Sequence, residues 1–475
     1  MHPFNHFTAS GWRVRRRAVL GIALPLAMGG IARSDEPPGR GEDWPGFLGP
    51  RGTGVSAETG LLPTWPADGP PILWKKKVGE GYAAPTVLGE RLVFFHRVGD
   101  EEVAECLTPE TGETVWRFGS PTRFVDPYGY NGGPRCAPVL TADRCFTFGA
   151  GGMLTCLELA TGRMLWQRDT PRDFAVPPAF FGAGSTPLID GDRLIVMVGG
   201  HPRSGVVAFD TATGKTLWES VGPGDFPEPP VRIQRDRPPE KLASYSSPLV
   251  AEIHGRRHLL CLMRPGLVSL DPETGEMRFA VWFRSRLHDS VNAAQPVVIG
   301  DRIFVSAAYD TGAMLLEVAA DGRSASVIWQ DEEAMQNHWS TTIQRGGFLY
   351  GFSGRNEPGS DFRCIRAADG AVMWRTPNDT AAPPQEAFYG RGSAILADGR
   401  FIVMGERGTL ALVEASPRAF REISRFQLPG FGHPCWTAPI LSRRRLFVTG
   451  GRQTAGPGGL AVEEYHLACL DLSAE

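Results

Sequence analysis

The sequence predicts an all-β fold, an eight-bladed β-propeller of four-stranded antiparallel blades, closed by an N-terminal strand that completes the C-terminal blade. Three observations carry this expectation. A hairpin phrase recurs along the chain, a second phrase opens each unit, and one strand near the N-terminus has no partner beside it while the last unit is one strand short.

The hairpin phrase reads AECLTPETGETVW at Ala104–Trp116, LTCLELATGRMLW at Leu154–Trp166 and VVAFDTATGKTLW at Val206–Trp218. LVSLDPETGEMRF repeats it at Leu267–Phe279 with Phe for Trp, FRCIRAADGAVMW repeats it at Phe362–Trp374, and weaker copies end near Trp329 and Phe426. An alternating run makes one strand, and a polar turn ends on Gly112, Gly162, Gly214 or Gly275, where a left-handed backbone costs glycine least. A second strand follows, with its aromatic residue four positions after the glycine. Burying a Trp is worth on the order of 4–6 kcal/mol as an upper bound, so packing between adjacent units is sufficient reason for these residues.

The opening phrase occurs eight times, among them AAPTVLGERLVFF from Ala83, STPLIDGDRLIVM from Ser185 and TAPILSRRRLFVT from Thr437. Each copy is two short apolar strands around a polar turn, so the two phrases together supply four strands. Trp116, Trp166 and Trp218 follow one another at 50 and 52 residues, and Trp329 and Trp374 at 45, the span of a propeller blade. The eighth unit, from Cys435, ends after a third strand in EYHLACLDL, while PPILWKKK around Trp74 is a strand without an upstream partner. One completes the other, which closes the ring and covers edges that would otherwise template aggregation.

Composition agrees with this reading: 42% hydrophobic residues supply a core, and 58 Gly with 40 Pro imply many short elements joined by tight turns. A net charge of -3 and the lack of a long basic run argue against a nucleic-acid partner. Residues 1–34 read as an export signal, with Arg15–Arg17 before an apolar run from Ala18 to Ile31, too short to span a bilayer comfortably. Arg16 and Arg17 leave Tat and Sec export both open. The expected location is therefore periplasmic or extracellular, for a monomer without a transmembrane span once the signal is removed. Residues 35–69 form a Pro/Gly-rich arm and residues 70–475 the propeller. Cys106, Cys156, Cys364 and Cys469 fall in the slot held by Ala208 and Ser269 in other units, and are expected as small buried core residues. Cys136 with Cys145 or Cys435 is the one disulfide pairing worth a test.

The phrase pair, with its D-x-x-T-G-x-x-x-W ending, resembles the quinoprotein-type repeat of the PQQ-like β-propeller superfamily over roughly residues 70–472. The leader DWPGFLGPRGTGVS at Asp43–Ser56 is similar to a segment preceding the propeller in exported, planctomycete-type members. Its plainer reading is an arm that packs Trp44 and Phe47 on the propeller. The resemblance implies either a PQQ-dependent dehydrogenase or a noncatalytic scaffold, distantly BamB-like, and fold alone does not choose. PQQ with Ca²⁺ is the cofactor implied for the former, but the sequence has no adjacent Cys pair and no C-x-x-C-H haem attachment. The expected function is an exported noncatalytic scaffold that binds an envelope protein or a small-molecule or sugar ligand through its loop-rich face. The alternative is a PQQ-dependent sugar or alcohol oxidoreductase, and a polysaccharide-binding or lyase role is a third possibility.

Candidate site residues follow from the topology. Links between blades are expected on one face around the channel mouth, with long ones at Phe118–Arg135, Asp169–Gly184 and Val221–Ser244 walling a surface. One position just before the opening phrase is held by Tyr82, Arg135, Gly184, Tyr245, Trp339, Arg391 and Trp436, with Asn292 close to the equivalent place. Such aromatic and guanidinium groups suit stacking and bidentate contacts, although aromatics wedged between blades would read the same way. His338 and His433 sit beside them, as a metal-binding pair or as hydrogen-bonded structural residues. Asp225, Asp289 and Glu386 are the carboxylates available as a base or cation ligand.

Overall fold

Trp74 stands opposite Cys469, and that single pairing closes the molecule. The computed structural model describes residues 41–178, 180–229, 241–288, 290–356, 359–377, 389–455 and 461–474. The export signal expected at residues 1–34 lies outside them. The described residues form eight four-stranded antiparallel sheets. Blade 1 comprises Thr86–Leu88, Arg91–Val98, Glu101–Leu107 and Thr114–Pro121. Blades 2 to 7 follow over residues 139–169, 188–220, 249–282, 297–331, 343–375 and 393–427, each in simple sequential order. Blade 8 takes Ile440–Ser442, Arg445–Ala455 and Ala461–Asp471 from the C-terminal side and Ile72–Val78 as its outermost strand. Among the described residues, helix is confined to Thr170–Phe174 and Pro223–Asp225.

The recurring Trp is explained by what it touches. The Trp116 ring lies against Gly162 in the turn of the next blade, where an added Cβ would stand 2.5 Å from a ring carbon and where φ is +74°. Its indole N–H donates to the carbonyl of Leu159 at 2.9 Å. Trp74, Trp166, Trp329 and Trp374 dock in the same way, on Pro109, Thr211, Ala367 and Ser416. Gly112, Gly162, Gly214 and Gly370 thus form platforms for Trp74, Trp116, Trp166 and Trp329, each beside a turn carbonyl, while Trp374 meets Phe420 in the glycine-free turn of blade 7. Trp218 covers Gly275 but its buried indole N–H has no partner among the described residues. Trp116→Phe is therefore expected to cost about 1 kcal/mol more than Trp218→Phe in thermal or denaturant unfolding, because only the former strands a carbonyl. Equal losses would refute the docking role of the indole N–H.

The cysteine slot has a geometric reason. Cys106 faces Trp116, Cys156 faces Trp166, Cys364 faces Trp374 and Cys469 faces Trp74, just as Ala208 faces Trp218 and Ser269 faces Phe279. In these blades the register shifts immediately beside that pair, so a small residue accommodates the aromatic ring at a bulge. All eight cysteines are buried free thiols, including Cys136, Cys145 and Cys435. Burial pushes the Cys106, Cys156, Cys364, Cys435 and Cys469 thiols up to about 12.

The opening phrase sews the inner ends of the blades together. Thr186 Oγ1 accepts from the Ala137 N–H at 3.1 Å, Ser247 Oγ from Thr186 at 3.1 Å and Thr341 Oγ1 from Gln295 at 3.0 Å. Thr437 Oγ1 donates to the carbonyl of Tyr82 at 3.2 Å, which joins blade 8 to blade 1. The arm lies at the other end of these innermost strands. Trp44, 1% exposed, pairs with Val87, Pro45 accepts from the Leu140 N–H, and Gly54 and Ser56 bond Leu396. The arm packs on the propeller as expected and, beyond that, crosses the far end of the central channel.

Candidate functional site

Because the innermost strand of each blade runs from the link face toward the arm, the residue just ahead of each strand faces a common centre. Tyr82, Arg135, Gly184, Tyr245, His338, Trp339, Arg391 and Trp436 line one cavity of about 440 Å³ at the mouth, floored by Gly46, Phe47 and Leu48 of the arm. Its volume is that of a small-molecule site.

The aromatic residues form a continuous collar. Trp436 lies 5.2 Å from Trp339, 5.2 Å from Tyr82 and 5.6 Å from Tyr130, measured between ring centroids. Tyr130 continues to Phe181 at 5.8 Å, and Phe181 to Tyr245 at 5.6 Å. On the other side Trp339 meets His338 at 4.7 Å, which meets Tyr309 at 5.4 Å. The long links supply the part of this collar that no strand carries: Tyr128 and Tyr130 come from the link after blade 1, and Phe181 from the link after blade 2. Residues 230–240 of the link after blade 3 lie outside the described residues.

Two buried carboxylates fix the arginines. Asp126, with a fully buried side chain, pairs with Arg135 at 2.6 Å, and its other oxygen accepts from the Tyr128 N–H at 2.8 Å. That pair folds the first link over the mouth. Glu406, fully buried in the turn between the second and third strands of blade 7, pairs with the Arg391 guanidinium and accepts the Trp436 indole N–H at 2.6 Å. Burial alone would raise the Glu406 carboxyl, but His433 and Arg391 outweigh it and hold it down at about 2. Arg391 lies 5.0 Å from the Trp339 centroid and 4.9 Å from that of Trp436, so one carboxylate positions a cation and an indole together. Burial of Tyr245, whose hydroxyl accepts from the Phe181 N–H at 2.6 Å, raises its pKa. Burial, reinforced by Arg391 and Arg355, pushes His338 down to about 3, so it is neutral near pH 7.

Some sequence candidates fall elsewhere. Asn292 is buried at 3% exposure, and its amide donates to the carbonyls of Met263, Arg264 and Phe283. It is a structural clamp in blade 4, because the chain there presents Val291 and Ala293 to the cavity instead. His433 stacks edge-on against Trp436 and approaches Glu406 at 3.4 Å, so it buttresses the collar from outside the cavity lining. Asp225 closes its own short helical turn and pairs with Arg203 at 2.9 Å, away from the mouth. Asp289 and Glu386 lie outside the described residues. Sequence reasoning missed Glu406, Asp126, Tyr309 and Arg355. The aromatic and turn residues of VDPYGYNGG were a signal for the link; a lone Glu in GERG was not.

The described geometry is that of a PQQ-like eight-bladed β-propeller with an aromatic mouth cavity. The family model described as outer membrane protein assembly factor BamB matches residues 99–376, and the chain belongs to this family. No curated protein matches the sequence. Among solved structures, BamB from Moraxella catarrhalis is 13% identical with a TM-score of 0.53, over 84% of this chain and 99% of that one. The quinohemoprotein alcohol dehydrogenase from Comamonas testosteroni is 12% identical with a TM-score of 0.58, over 90% and 80%. Quinohemoprotein alcohol dehydrogenase ADHIIG from Pseudomonas putida HK5 is 11% identical with a TM-score of 0.62, over 91% and 80%. At these identities the likeness shows the fold alone.

A quinone–calcium centre at the mouth would require an oxygen-rich ligand set. Calcium takes six to eight oxygen ligands. The two buried carboxylates at the mouth are each committed to arginine. No group of three or more His, Cys, Asp and Glu side chains able to hold a metal occurs among the described residues. The described residues do not fit such a centre.

Proposed function

We propose that this chain is an exported, noncatalytic scaffold that binds a protein or small ligand through the loop-rich face of its propeller. The observation that carries the reading is the collar itself. Tyr82, Trp339 and Trp436 meet ring to ring around an open cavity, and Glu406 holds the collar in place through Arg391 and Trp436. Buried aromatics with fixed arginines are the groups that dominate binding surfaces. The basic and apolar leader and the family's outer-membrane name support placement in the envelope. Among the described residues no helix is long and apolar enough to cross a membrane.

Tyr128 and Tyr130 are 46% and 44% exposed, so serine can replace both with little effect on folding. The double variant is expected to lose whatever wild type retains from the envelope fraction, read by native mass spectrometry of the captured protein at unchanged thermal stability. Identical retention would remove the mouth as the binding face. Adding PQQ and Ca²⁺ is expected to give neither quinone absorbance nor dye reduction with sugars or alcohols; a signal would favour the oxidoreductase reading.

A further inference from the structure

The mouth cavity continues outward. Tyr309, Arg355 and Asn356 line both it and an open groove of about 830 Å³ along blades 5 and 6, where Asp310, Asp331, Glu333 and Asp369 make the walls polar and rich in carboxylates. An apolar bowl leading into a polar trough has the shape of a site for the end of a chain molecule.

Backbone strain marks the junction. Tyr309 and Asp310 have φ of 62° and 58°, a left-handed pair at a turn, where a bulky side chain is uncommon. Such residues cluster at functional sites and ligand clamps. Here the strain places the Tyr309 hydroxyl 3.2 Å from His338 Nε2 and its ring 4.3 Å below the Arg355 guanidinium. Arg135 and Arg391 are neutralised by Asp126 and Glu406, whereas the exposed Arg355 guanidinium makes no ion pair with a described residue. Among the described residues the mouth therefore carries an uncommitted positive charge at the edge of the collar.

Ring geometry narrows the ligand further. Trp436 is tilted by 48° to Trp339, 42° to Tyr82 and 65° to Tyr130, which makes a curved bowl with no parallel slot. A flat polycycle needs parallel walls; a puckered pyranose presents C–H faces to tilted rings and hydroxyls to the rim. The wall also contains Trp339 Nε1 and His338 Nδ1, buried without a hydrogen-bond partner among the described residues.

We propose that the mouth and groove bind an oligosaccharide with one acidic end, a terminal uronic sugar seated on the Trp339–Trp436 collar with its carboxylate on Arg355 and the following neutral units donating hydroxyl hydrogen bonds to the carboxylates along the groove. This rests on the binding role proposed above and specifies its ligand. The test titrates the full-length protein with xylotriose bearing one terminal glucuronic acid and with the neutral methyl ester of that sugar, read by tryptophan fluorescence and calorimetry at low salt. The acid is expected to bind roughly tenfold more tightly than the ester, the scale of one charge-assisted pair. Arg355→Gln should abolish that difference at unchanged thermal stability, whereas Arg355→Lys, which keeps the charge, should retain most of it. Equal affinity for acid and ester, or no binding of either, overturns the proposal. If neither sugar binds but envelope capture still depends on Tyr128 and Tyr130, the ligand class fails and the scaffold role stands.

Discussion

Replacing Trp74 and Lys76 together by alanine will destabilise the ring on the order of 5 kcal/mol, while replacing Leu73 and Lys75 on the same strand will cost less than about 1 kcal/mol. The strand Ile72–Val78 alternates faces, and only one of them is occupied. Trp74 packs against Phe447 at 6.0 Å and donates to the Pro109 carbonyl at 2.9 Å, reaching from blade 8 into blade 1. Lys76 lies 3.0 Å from Glu105 and donates to Thr114 Oγ1 at 2.7 Å, again in blade 1. Burial would raise the Glu105 carboxyl, but hydrogen bonds from His96, Thr114 and Lys76 outweigh it and hold it at about 2. Losing the cation leaves a buried carboxylate short of a partner, the costly case. Leu73 is 45% exposed and Lys75 reaches only an exposed carbonyl of Pro429. Chemical denaturation of the two double variants decides the matter. Equal stabilities would mean that the closing strand does not hold the ring.

Glu406→Ala should cost on the order of 3–5 kcal/mol and disorganise the mouth as well, since removal strands the Arg391 guanidinium and the Trp436 indole N–H at once. The same carboxyl gives stability a pH dependence. Its folded pKa of about 2 lies below the ordinary value of 4.5, so the folded state binds the proton less readily than the unfolded chain. The stabilisation is therefore complete above about pH 4.5 and disappears as pH falls toward 2, on the order of 3 kcal/mol in all. Wild type and Glu406→Gln should converge in stability over that window, followed by acid unfolding of both. A constant gap between them from pH 7 to pH 2 would exclude the ionised Glu406 as the anchor.

Blade number, blade boundaries and the closing strand were legible because each depends on a local pattern. A glycine four residues before an aromatic specifies a hairpin whatever the rest of the chain does, and a small residue across from that aromatic marks the bulge. Part of the site was legible for the same reason: Tyr82, Arg135, Tyr245, Trp339, Arg391 and Trp436 share one position in a repeat, and equivalent positions on a closed ring face one centre. Asn292 shows the limit of this logic. A shift in the chain before blade 5 turned its side chain inward to three carbonyls, and no spacing rule records that.

By itself, then, the sequence determined a ring of eight repeats, the strand that fastens it and the positions pointing to its mouth, because these follow from periodicities along one chain. Only the tertiary structure decided which groups sit at that mouth with their charge neutralised and which do not. Asp126 reaches Arg135 from nine residues away and Glu406 reaches Arg391 from fifteen, while Tyr309 and Arg355 meet across two blades. Ion pairing and burial depend on distances in space between segments whose separation in sequence carries no code for them.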